Sequence, residues 1–175
     1  MTAMVVFESL FGGTRAVAHA IADGIAEYGD VQVREVGRRP EDAPPRALPA
    51  DVSLLVVGVP SRALGRHHSS PTVRAAHGGR RGLISTHATV REWLELVRLP
   101  AHPLDVAVFD TVQRPDLPGS AARAAQRVLE RHGGVHGLPV RSFQAIGSTA
   151  GLAEGELDAA RVWARELGAL LPVAR

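Results

Sequence analysis

Ser9-Leu10-Phe11-Gly12-Gly13-Thr14 is the stretch that decides how this chain folds, because of what stands on either side of it. Before it, Met4-Val5-Val6-Phe7 is an unbroken apolar run and reads as a short buried strand. After it, Arg15 to Tyr28 is amphipathic and reads as a helix, with Val17, Ile21, Ile25 and Tyr28 on one stripe and Gly29 as its C-cap. His19 lies off that stripe and is read as solvated. A strand, a glycine turn and a helix start together make an anion site. The first amides of a helix have no partner inside it, and the helix dipole adds partial positive charge there. Gly12 and Gly13 permit positive φ and close approach of a ligand, and Ser9 and Thr14 add hydroxyls. There is no lysine for a G-K-[ST] loop, and the spacing is not G-x-G-x-x-G, so neither an ATPase loop nor a dinucleotide loop is expected.

Composition narrows the rest. The 175 residues, 45% of them apolar, suit one domain with a sizeable core. Cysteine is absent, which excludes disulfides, thiol catalysis and thiolate metal sites. The start lacks the charged and apolar regions of a signal peptide, and no apolar run reaches the ~18 residues of a membrane helix, so a soluble cytoplasmic protein is expected. The isoelectric point near 10.3 does not mark a nucleic-acid binder. All 20 basic residues are arginine and the net charge is only +2; arginine holds its proton until above about pH 12.

Working outward, Val31 to Val36 begins by alternating apolar and polar residues, as a half-exposed edge strand does. Residues 37–50 carry four prolines and predict a loop or a single helical turn. Leu54 to Val59 is continuously apolar, as a strand covered on both faces requires. Ala88 to Val97 predicts a helix with Val90, Trp93, Leu94 and Val97 inward. Asp105 to Asp110 is the next strand. A loop then leads to a helix near 119–132, with Ser120 as N-cap and Ala121, Ala125, Val128, Leu129 and His132 inward. Val140 to Ile146 is a fifth strand. A last helix, near 155–171, carries Leu157, Ala160, Ala164, Leu167 and Leu171 on one face, with Trp163 beside it as packing. Strands alternating with helices predict an α/β fold with a five-stranded parallel sheet of order 2-1-3-4-5. Ligands of such a sheet bind beyond the carboxyl ends of strands one and three.

The loop pattern resembles the phosphate loop of flavodoxins, [ST]-x-[STYFW]-G-x-T, carried here by Ser9, Phe11, Gly12 and Thr14. The resemblance extends over nearly the whole chain through Asp51 to Gly58 with Pro60, and through Phe109-Asp110-Thr111. It is similar to a flavodoxin-like group with S-x-F-G-N-T, G-x-P-[ST]-H-A-F-G, R-E-W-L and F-D-T elements. Gly13 stands where that group has Asn, and Arg62 and Leu64 where it has His and Phe. The resemblance implies a flavodoxin-like three-layer sandwich that binds FMN non-covalently and transfers electrons. It implies that Ser9 and Thr14, with the amides of Leu10, Phe11, Gly12, Gly13 and Thr14, hold the phosphate. Pro60, Ser61, Arg62 and Leu64 are then expected on one side of the flavin, and Asp110, Thr111 and Val112 on the other. Two alternatives stay open. One is an FMN-dependent oxidoreductase of the same fold, an NAD(P)H–quinone reductase or a flavodoxin-type protoporphyrinogen oxidase. The other is a non-enzymatic interaction protein that has lost the cofactor, since residues 60–68 and 111–118 hold no Phe, Tyr or Trp to stack on a flavin.

Other constellations carry less. His67, His68, His77 and His87 share one glycine-rich segment without metal-ligand spacing and read as solvated. Glu8 occupies a position that receiver domains use, but the aspartate and lysine of phosphotransfer are missing. Between Asp51 and Glu92 there is no acidic residue, while Arg62, Arg66, Arg74, Arg80, Arg81 and Arg91 are present. This asymmetry predicts a redox partner protein with an acidic face, or a small anionic substrate, near residues 62–81. It also predicts a second reduction step easier than in ordinary flavodoxins, by some tens of millivolts at roughly 35 mV per nearby charge.

Overall fold

A computed structural model describes residues 2–37, 43–60, 89–113, 121–146 and 151–170. Its elements are β1 (Thr2–Phe7), α1 (Gly13–Ile25), β2 (Asp30–Glu35), β3 (Val52–Pro60), α2 (Val90–Leu96), β4 (Leu104–Val112), α3 (Ala121–Arg131), β5 (Val135–Gly137), β6 (Arg141–Ile146), β7 (Gly151–Leu152) and α4 (Glu156–Gly168). The sheet runs β2-β1-β3-β4-β6-β7, with β5 beside the start of β4. All pairings are parallel except β6 with β7.

The first four sheet positions follow the expected 2-1-3-4 order. The fifth is built from two pieces rather than one, which makes seven strands among the described residues. β5 pairs with Leu104–Val106 and β6 with Phe109–Val112. Pro139 lies between them and has no N–H to donate to a ladder, so the strand breaks there. β7 adds a short antiparallel return that side-chain periodicity does not announce, being two residues long.

Alternation along the central strands separates two cores. Val5, Phe7, Val56, Ala107 and Phe109 face α1 and α4. Met4, Val6, Leu55, Val57, Val106 and Val108 face α2 and α3. Both faces are covered, which is why these strands read as continuous apolar runs. Gly58 lies between two rings of the first core: a Cβ there would overlap the Phe109 ring and sit 2.9 Å from Phe7 Cβ. Trp163 of α4 packs edge-on to Phe109, at 6.5 Å between centroids, and against Phe143, as expected of a packing residue. α2 has only seven residues, too few to hold by propensity. A capping box between Thr89 and Glu92 starts it, and Val90, Trp93 and Leu94 anchor it.

Three local expectations need correction. α1 ends at Ile25 with Ala26 as C-cap, so Gly29 is not the cap, and Tyr28 is 47% exposed, outside the inward stripe. Leu157 is 36% exposed, because it sits in the first turn of α4, where the helix has not yet come over the sheet core. His132 follows α3 and is exposed, although its Nε2 meets the Leu94 carbonyl oxygen at 2.7 Å. The expected N-cap Ser120, Leu171 and the four clustered histidines lie outside the described residues.

Candidate functional site

The carboxyl ends of β1, β3 and β4 reach one edge of the sheet, where Phe7 pairs with Gly58 and Pro60 with Thr111. There the chain leaves β1 and turns over Glu8–Gly12 into α1. The turn closes around Ser9, which is wholly buried. Its Oγ accepts the N–H of Gly12 at 3.0 Å and of Arg15 at 3.2 Å. Both bonds use the oxygen's lone pairs, so the Ser9 O–H remains a donor. Gly12 takes φ 99°, in the left-handed region, and caps α1 without a side chain. A β-branched residue would be strained there. The amides of Leu10, Phe11, Gly13 and Thr14 have no hydrogen-bond partner among the described residues. These donors stand at the positive end of a 13-residue helix. The arrangement accepts an anion.

Gly13 is different from Gly12. It does not adopt positive φ, and a Cβ would meet Leu152 Cδ2 at 3.7 Å, an ordinary contact. A side chain fits at this position.

Thr14 and Thr111 are both buried, and their hydroxyl oxygens are 2.8 Å apart. This bond ties the first turn of α1 to the end of β4. Asp110, one residue earlier, points to the other face of the sheet. Its Oδ2 accepts the N–H of Ala122 in α3 at 3.0 Å, and its Oδ1, also buried, has no partner among the described residues. Val112 is half-buried at the strand end, and Pro60 is buried at the end of β3. Of the residues named from sequence, then, Ser9 to Thr14 and Thr111 come together, while Asp110 turns towards α3. Ser61, Arg62 and Leu64 lie outside the described residues.

Three residues that sequence reasoning did not place in the site border the loop. Arg15 makes a two-pronged ion pair with Glu35, Nη2 lying 2.7 and 2.6 Å from the two carboxylate oxygens. Glu35 closes β2 opposite Phe7, so the pair seals the β2 side of the loop. Glu8 lies beneath the loop, almost fully buried, with Oε2 accepting the Val90 N–H at 2.9 Å. Burial pushes its carboxyl up to about 7, the Val90 amide opposes this, and the nearby charge of Glu92 adds to it. The signal for Glu8 was present in the sequence: an acidic residue standing directly after a buried apolar strand. Among the described residues, no group of His, Asp and Glu is placed to hold a metal, and no helix is long and apolar enough to cross a membrane.

No family model and no curated sequence matches the chain. Solved structures do. The chain is similar to a flavodoxin from the domain Archaea, with TM-score 0.56 and 16% identity over 97% of each chain. It is similar to the Streptococcus pneumonia TIGR4 flavodoxin, with TM-score 0.60 and 15% identity over 97% of this chain and 99% of that one. It is likewise similar to the C101A mutant of flavodoxin from Pseudomonas aeruginosa, with TM-score 0.56 and 14% identity over 97% of each chain. Parallel strands in the order 2-1-3-4, helices on both faces and this likeness along the chain lead to one conclusion: the chain has the flavodoxin-like fold.

Proposed function

We propose that the chain is a single-domain flavodoxin-like protein that binds FMN non-covalently and transfers electrons between partners. The observation that carries this reading is the loop Ser9–Thr14, a left-handed Gly12 followed by unpartnered amides at the positive end of α1. Donors so arranged suit a terminal phosphate. The Ser9 O–H and the amides of Leu10, Phe11, Gly13 and Thr14 would hold it, and Thr111 would fix the rotamer of Thr14 beside it. Pro60 and the residues after it would border the ring on one side, and Thr111 and Val112 on the other. The solved flavodoxins of the same fold support the choice of a flavin. Bound FMN would supply one- and two-electron redox chemistry, while the chain supplies position and charge.

Titration of the purified protein with FMN, followed by quenching of flavin fluorescence, tests the reading. Saturable binding that is lost in Gly12→Val supports it. No binding of FMN would overturn it in favour of an interaction protein without cofactor. Oxidation of NAD(P)H by the FMN-loaded protein alone would favour the oxidoreductase over the carrier.

A further inference from the structure

Glu8 is the link between the buried strand β1 and the glycine loop. Its N–H donates to the Gly58 carbonyl at 3.1 Å, carrying the β1–β3 pairing one residue past Phe7. Its side chain is 2% exposed and follows Val6 onto the α2–α3 face of the sheet. On that face Val59 comes next, and Asp110, paired with Val59, lies beyond it. Two buried carboxyls thus occupy one row across three strands, their α-carbons about 10 Å apart at the usual strand spacing. Each receives an amide from a helix start, Val90 for Glu8 and Ala122 for Asp110. Among the described residues no cation pairs with Glu8.

Among the described residues the charged groups around it are few. On α2, Glu92 is held by Thr89, and Arg91 pairs with Glu95 on the exposed side. On β4 there is Asp110. From α3 the buried residues are Ala121, Ala122, Ala125 and Leu129, and β3 contributes Val59 without charge. Arg15 and Glu35, at the ends of α1 and β2, are paired with each other. Among the described residues, negative charge therefore predominates near Glu8, and it lies one residue from the anion loop.

We propose that Glu8 is the proton acceptor of the glycine-loop site: its carboxylate takes up a proton from solvent when an anion settles against the amides of Leu10, Phe11, Gly13 and Thr14. The proposal rests on the FMN reading. The proton adds to Oε1, because Oε2 already accepts the Val90 amide, and no electron is exchanged. The carboxyl then becomes neutral while the Val90 bond is kept, so the row of buried charge is reduced as the ligand's charge arrives. Glu8 is a positioning residue here, since it touches the loop and not the ligand. The starting point suits such a role, because burial already holds this carboxyl near neutrality. A dianion about 10 Å away, at an effective dielectric of about 40, raises the midpoint by about one pH unit.

FMN titration by isothermal calorimetry at pH 7.5, in two buffers of different ionisation enthalpy, counts the protons taken up. The wild type is expected to take up about half a proton more than Glu8→Gln, the neutral isostere. Its FMN affinity is expected to fall about tenfold relative to that variant between pH 6 and pH 9. Carbon-13 NMR of glutamate Cδ in the wild type reads the same event without a substitution: the midpoint of the Glu8 carboxyl moves upward when FMN is added. Equal proton uptake in both proteins, or a midpoint unmoved by FMN, overturns the proposal while leaving FMN binding intact. Absence of FMN binding overturns the functional reading, and this proposal with it.

Discussion

Thr14 and Thr111, 97 residues apart in sequence, share a buried hydrogen bond of 2.8 Å between their hydroxyl oxygens. The bond joins the start of α1 to the end of β4, and a hydroxyl has a single proton to give. If Thr111 donates to Thr14, the Thr14 proton is free for an anion in the loop. Thr111→Val removes that donor. It is expected to cost about 1–3 kcal/mol of stability, as does Thr14→Val, because each leaves a buried partner unsatisfied. The double variant is expected to cost less than the sum. Urea unfolding of the three proteins checks the non-additivity. FMN titration should show Thr14→Ala weakened by about 1.5–3 kcal/mol, one bond to a charged group.

Gly12 and Gly13 are adjacent but answer to different constraints. Gly12→Val meets φ 99° and should abolish anion binding as well as destabilise the turn. Gly13→Ala has ordinary φ and an open contact with Leu152. It should leave FMN affinity unchanged and stabilise the protein by about 0.5 kcal/mol through reduced chain entropy in the unfolded state. A thermal melt with and without FMN separates the two outcomes. Loss of binding in Gly13→Ala would mean that the ligand needs the space above that residue.

Arg15 and Glu35 offer a test of the loop's border. Glu35 is buried and Arg15 only partly exposed. Arg15→Met removes the ion pair of a buried carboxylate and should cost about 3 kcal/mol, whereas Arg15→Met with Glu35→Leu should recover most of that loss. Denaturation midpoints in low and high salt check it. A pair governed by solvent would lose its effect in high salt, and this one should keep it.

The strands and helices were legible because each buried face leaves a period in the sequence. Met4 to Phe7 and Leu54 to Val59 have no polar residue, and helices cover them on both sides of the sheet. The two-piece fifth strand was legible only through Pro139, and β7 not at all, since two residues carry no period. The glycine loop was legible as a motif, but the direction of Asp110 was not taken from the rule that would have given it. Successive strand residues point to opposite faces. The Asp110 and Thr111 side chains therefore leave the strand on opposite faces, and it is Thr111 that meets Thr14. The Arg15–Glu35 pair and the choice of Val90 as the partner of Glu8 depend on tertiary packing; only the place of Glu8, directly after a buried strand, leaves a local mark.

Glu8 also makes the stability of the unliganded protein depend on pH, with a defined sign. Its carboxyl stands at about 7 in the folded chain and at 4.5 as the reference for the unfolded one. The folded state therefore binds more protons between those limits. The stabilisation from the neutral carboxyl is fully present below pH 4.5 and is lost as pH rises through 7. Over that window the loss amounts to about 3 kcal/mol. Other carboxylates, stabilised when charged, act in the opposite direction at the acidic end, so the comparison must be made between proteins. Glu8→Gln cannot lose a proton there. It should match the wild type near pH 5 and exceed it in stability at pH 8, by up to that amount. Urea unfolding at half-unit steps from pH 5 to pH 8 gives the difference curve. A flat difference would mean that Glu8 finds a compensating cation in solution, and that its burial does not set its protonation.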